Sequence, residues 1–239
     1  MELKKLLKLE SLKNFHRANN LFILISLVWI SLSFLEKDTF SDELFITTLV
    51  KFIYLFVIFS IYIIFMVNKE VKNQVIIKNF ADGLSRQEYF MSKIIWLIIN
   101  VFVYVILSIM LIIGYFFLQK NAIGYEIEYS GLYYVLSFSN IIALFLGFLY
   151  FGILGMMYML LIRNSIIAIL VLIGQFIFEH IIWLININTI KLNISYYLPS
   201  LLIKNLIKYS DFDWISGLIL VCYIILFGFI VRKRIIKIN

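Results

Sequence analysis

Few residues in this chain are of types that do chemistry, and they gather at two places. The first is Glu179-His180, within "GQFIFEHIIWL". A carboxylate beside an imidazole is a pairing suited to acid–base work. Gln175, four residues earlier, falls on the same helical face as Glu179. Ionisable residues inside apolar segments are costly and usually face the protein interior or a cavity. Two roles therefore stay open for Gln175, Glu179 and His180: a polar point on a path or subunit interface, or a buried structural group near a membrane boundary. The second place is "NFADGLSRQEYFMSK", residues 79–93, which sets Asp82, Arg86 and Glu88 between two long apolar runs.

Other chemistries lack their residues. No glycine is followed by lysine, which excludes a phosphate-binding P-loop. A single cysteine, Cys222, excludes an intrachain disulfide and a Cys-rich metal site. His16 and His180 are too few and too separated for a His-rich metal site. "DGLSR" is similar to the D-G-x-x-A-R of membrane phosphatidyl-group transferases. Its arginine comes one position early, however, and no further aspartate pair follows. No catalytic residue, no metal ligand and no bound cofactor is expected.

The elements that must position these residues are apolar and long. The chain of 239 residues is 63% hydrophobic, 18% aromatic and only 15% charged, with a mean hydropathy of +1.00. Soluble domains carry about 25% charged residues. The excess apolar residues form six blocks: Ala18–Leu35, Leu44–Val67, Ile94–Leu118, Val135–Ile162, Ser165–Ile185 and Ile215–Val231. Each is long enough to cross a hydrocarbon core of about 30 Å as a helix. An all-α, polytopic membrane fold in one domain, residues 1–239, is expected. The fourth block carries Ser139, Ala143 and Gly147 at four-residue spacing, then Gly152 and Gly155. Such a face lets helices approach closely, either within one subunit or across a dimer seam.

Six spans put both termini on one side. That side collects Lys4, Lys5, Lys8, Lys13, Arg17, Lys69, Lys72, Lys78, Arg86, Lys93, Arg163, Arg232, Lys233, Arg234 and Lys237, leaving six of the 21 Lys and Arg elsewhere. The positive-inside rule makes this side, and both termini, cytoplasmic. The net charge of +7 thus reflects membrane orientation and not a nucleic-acid partner. Residues 1–17 mix lysines with leucines, as an interfacial helix on an anionic lipid surface does. In the external segment 186–214, "YYLPSLLIKNLIKYSDFDW" has Pro199 placed for a first helical turn. It is expected to form a helix lying in, or dipping into, the outer interface.

Between the second and third spans, residues 68–93 read as a helical hairpin. Helix formers continue past Val67 to Ala81, a length that would project roughly 20 Å. Gly83 can take the left-handed conformation that ends a helix. Ser85 and Glu88 have the spacing of a capping box that starts the next one. Ile76, Ile77, Phe80, Leu84, Tyr89 and Phe90 gather near the tip. A projecting apolar tip points to a protein contact, with packing on the protein's own surface as the alternative.

This pattern resembles the ABC-2-type transporter permeases. The resemblance lies in the topology, in the short Ile-Arg-Asn-Ser turn at 162–165, in "KNFADGLSRQEYFMSK" and, more loosely, in "YLPS" before the last span. It implies a membrane subunit of an ATP-driven exporter, in a bacterial cytoplasmic (inner) membrane. It further implies a second permease copy or paralogue, and a separate cytoplasmic ABC ATPase that holds ATP and Mg. The segment from Ile76 to Phe90, including Asp82, Gly83, Leu84, Ser85, Arg86 and Glu88, would be the coupling helix region docking on that ATPase. Phe80, Leu84 and Arg86 are expected to dominate the contact. The alternative is a non-transporting membrane scaffold or sensor that uses the same hairpin to hold a partner.

Overall fold

The computed structural model describes residues 42–72, 75–81, 83, 85–123, 137–185, 197–208 and 213–237. The expected interfacial helix 1–17 and first span Ala18–Leu35 lie outside the described residues, as do Asp82 and Leu84. The described chain is helical, without a strand. In order, the helices are α1 (Asp42–Lys72), α2 (Val75–Ala81), α3 (Arg86–Ile123), α4 (Phe138–Ile162), α5 (Ser165–Ile185), α6 (Pro199–Lys208) and α7 (Trp214–Ile236). Five of them, α1, α3, α4, α5 and α7, are long and apolar enough to cross a membrane. They overlap the second to sixth apolar blocks, and α5 matches its block end to end. The helix expected from Val67 to Ala81 is described as two pieces, the end of α1 and α2.

Polar residues mark where the apolar helices begin and end. Ser137 accepts a hydrogen bond from the Asn140 N–H and starts α4. Asp213 accepts from the Ile215 N–H at 3.1 Å and starts α7. Between α4 and α5, Arg163 sits at φ 58°, in the left-handed region, with its N–H on the Met159 carbonyl. Asn164 Oδ1 then accepts from the Ile166 N–H at 3.0 Å. These caps satisfy helix-end groups that have no intrahelical partner, so two spans can join through two residues.

α4 is the hub: it packs against α1, α3, α5, α6 and α7, and it is the most buried of the five long helices. Its small residues explain how. Phe56 of α1 fits against Gly147, Phe59 and Leu97 against Gly152, and the Ser60 backbone against Gly155. A Cβ on Gly155 would lie 2.7 Å from the Ser60 carbonyl oxygen, so α1 and α4 cross at nearly backbone contact. Of the two readings open for this face, it serves packing within the chain. Lipid tails are as apolar as leucine, so such close packing, and not hydrophobic transfer, holds membrane helices together. Around the crossing, Phe56 and Phe59 meet Phe148 edge-on at 4.7 and 5.3 Å between ring centres. Phe59 also lies 4.7 Å from Tyr104 of α3. α5 and α7 are the least buried of the long helices; Leu170, Phe178, Leu218 and Phe229 are exposed along them, as lipid-facing or subunit-facing side chains would be.

Candidate functional site

The turn between α2 and α3 is built as its residue types dictate. Gly83 takes φ +90° and donates its N–H to the Phe80 carbonyl at 3.1 Å. Ser85 then caps α3. The Ser85 N–H and hydroxyl donate to Glu88 Oε2 at 2.9 and 2.7 Å, and the Glu88 N–H donates to Ser85 Oγ at 3.2 Å. This is the reciprocal capping box, closed in both directions.

The apolar residues of this turn divide into two sets. Ile76 and Tyr89, expected at a projecting tip, are each 3% exposed and belong to the protein's own core. Phe80 is half-buried and edge-on to Tyr89 at 5.7 Å. Phe90 is half-buried against the core as well. Among the described residues, Ile77, Ala81, Gly83, Ser85, Arg86 and Gln87 face outward. The reason is amphipathicity: a seven-residue α2 can turn one side to the surface only by giving the other to α1, against which it packs. Arg86 lies over the Phe80 ring at 5.8 Å. It also donates to the Ile236 carbonyl at the end of α7. Arg234 in turn donates to the Leu160 carbonyl near the end of α4 at 3.4 Å. Cationic side chains on terminal carbonyls suit the negative end of a helix. They tie the α2–α3 turn, α7 and α4 together at one end of the bundle.

Two residues outside the predicted set complete this end. Glu70 of α1 and Lys93 of α3 form an ion pair whose side chains are 11% and 5% exposed. The Tyr89 hydroxyl donates to the other carboxylate oxygen of Glu70 at 2.7 Å. The Lys93 ammonium stands over the rings of Tyr89 and Trp96 at 5.3 and 5.7 Å. The sequence marks each residue, a carboxylate and a lysine just beyond the apolar blocks of two consecutive helices, but not their pairing.

The second polar place lies between α5 and α6. Glu179 is 5% exposed, whereas His180 is exposed. Neighbours on a helix point about 100° apart, so the two do not act from one face. Glu179 instead works with Gln175, whose Nε2 donates to its Oε1 at 2.7 Å. Tyr158 of α4 donates to Gln175 Oε1. On its other oxygen Glu179 accepts the Ser200 N–H at 3.0 Å and the Ser200 hydroxyl. The carboxylate therefore caps the first turn of α6, where Pro199 has no N–H to offer. α6 lies in the segment where a helix is expected from Pro199, and it packs on α1, α4, α5 and α7. Leu202, Ile203 and Leu206 are fully buried beneath it. Gln175, Glu179, Tyr158 and Ser200 are each engaged by a donor or acceptor of the protein itself.

No protein-family model and no curated protein matches this chain. Fold and composition define the class: an all-helical multi-pass membrane protein, with five described helices able to cross a bilayer.

Proposed function

We propose that this chain is the permease subunit of an ABC-2-type ATP-driven exporter, with six spans, cytoplasmic termini and the α2–α3 turn in the cytosol. Two such subunits, identical or paralogous, would surround the transport path, and a separate cytoplasmic ATPase would drive them. The observation that carries this reading is the α2–α3 turn. It presents exposed Ile77, Gly83, Ser85, Arg86 and Gln87, and it is stiffened by a capping box and bonded to the end of α7. A loop that merely joins two spans needs none of these features. A surface that must receive force from a partner and pass it into membrane helices needs all of them. The asymmetric placement of Lys and Arg supports the cytosolic location, and the resemblance of "KNFADGLSRQEYFMSK" supports the ATPase as partner.

The mechanism is mechanical. ATP binding closes the ATPase pair, the α2–α3 edge moves with it, and α1 and α3 carry the displacement to the cavity between subunits. The chain itself makes or breaks no covalent bond. Replacing Ile77, Leu84 and Arg86 together by Ala tests the contact. The expected result is loss of the ATPase from the purified complex, and of its stimulation by the permease. Undiminished association in the triple variant would remove the basis for this assignment.

A further inference from the structure

Glu70 and Lys93 lie 23 positions apart, one at the end of α1 and one near the start of α3. As residues they are 8% and 4% exposed. Buried ion pairs are weak evidence for stability, since neutral side chains of similar volume often serve a fold as well or better. A pair of this kind fixes a geometry: pulling the helices apart would leave two buried charges uncompensated. Here the geometry is doubly fixed, because the Tyr89 hydroxyl takes the second carboxylate oxygen at 2.7 Å. The Tyr89 and Trp96 rings beneath the ammonium add cation–π attraction. All of these ties run from Glu70 on α1 to side chains on α3 or stay within α3. The turn that joins the helices, by contrast, contains a positive-φ glycine.

We propose that Glu70 and Lys93 are positioning residues that form a strut between α1 and α3. The strut makes the two helices one lever, so that a displacement at the α2–α3 edge reaches both together and is not absorbed by splaying. This deepens, and rests on, the reading of that edge as an ATPase contact. Neither residue belongs to the exposed edge itself.

The test measures spin-label distances in a Cys222→Ser background. One pair, Lys72→Cys with Met91→Cys, reports the separation of the two helices in the purified chain and needs no ATPase. A second pair, Lys72→Cys with Ile167→Cys on α5, reports displacement in the ATPase complex on adding ATP. The strut is removed by Glu70→Gln with Lys93→Met, which keeps side-chain volume and leaves no lone charge. The expected result is a narrow first distance that broadens in this double variant, with loss of the ATP-dependent change in the second distance while the ATPase still co-purifies. Wild-type width and a wild-type ATP response in the double variant would overturn the strut. If the double variant does not accumulate, Tyr89→Phe decides: broadening supports the strut, and unchanged width overturns it. An ATP response absent from the unsubstituted complex would count against the ATPase reading and leave the first distance to judge the strut.

Discussion

Gly155→Ala tests the crossing of α1 and α4 at its tightest point. The added Cβ would lie 2.6 Å from Ser60 Oγ and 2.7 Å from the Ser60 carbonyl oxygen. The hydroxyl can rotate away, but the carbonyl belongs to the α1 backbone and cannot yield without moving the helix. Overpacking of this kind costs about 1–3 kcal/mol. Alanine also favours a helix over glycine by about 0.5–1 kcal/mol, so the clash is best read against a control. Gly174→Ala supplies one: it lies within α5, and its added Cβ would meet nothing within 4 Å. The two substitutions share the propensity gain and differ in the clash. Thermal unfolding of the purified protein in detergent should therefore place Gly155→Ala below Gly174→Ala. At about 2–4 °C per kcal/mol for a chain of this size, the separation is several degrees. Adding Ser60→Ala to Gly155→Ala should recover only part of it, because the carbonyl remains. Equal melting temperatures for the two glycine variants would refute the backbone-contact account of the hub.

Further outcomes follow from the polar groups. Ser85→Ala should accelerate hydrogen exchange of the first amides of α3 about fivefold, the factor that a typical N-cap is worth, with α4 amides unchanged. Glu179→Ala should destabilise by about 1–3 kcal/mol, because it strips a buried acceptor from the Ser200 N–H and from Gln175. Glu179→Gln should recover part of that loss, and the α6 segment of the Ala variant should be cleaved first in limited proteolysis. Tyr158→Phe removes only the donor to Gln175 and should cost about 1 kcal/mol in the same unfolding assay.

The apolar blocks were legible because a membrane span needs an uninterrupted run, and composition alone supplies it. Ser165–Ile185 coincides with α5 end to end, α1, α3 and α7 outlast their apolar runs, and α4 begins at Phe138, three residues inside its block. α1 continues to Lys72 and α3 begins at Arg86 because helix formers, not apolar residues, fill those turns. Local chemistry was equally readable: the Gly83 turn, the Ser85–Glu88 box and Pro199 at the start of α6 each depend on residues within four positions. Pairings across helices were not. Nothing in the spacing of Glu70 and Lys93, or of Glu179 and Ser200, says that they meet, since helix rotation and crossing decide it. The inward turn of Ile76 and Tyr89 was hidden for the same reason. Both are apolar residues near a turn, and only the packing of α2 on α1, and of Tyr89 on Glu70, gives them a direction. Glu179 was conspicuous as a buried carboxylate, but its partner proved to be a helix terminus and not the adjacent histidine.

The central proposal is that this chain works with a cytoplasmic ATPase. Affinity purification of the intact protein from its native membrane in mild detergent, followed by mass spectrometry and an ATPase assay, tests it most directly. The account predicts co-purification of a P-loop ATPase whose hydrolysis rises in the complex and whose retention depends on Ile77, Leu84 and Arg86. Recovery of the folded protein without any ATPase, or with one that binds equally well to the triple alanine variant, would contradict it.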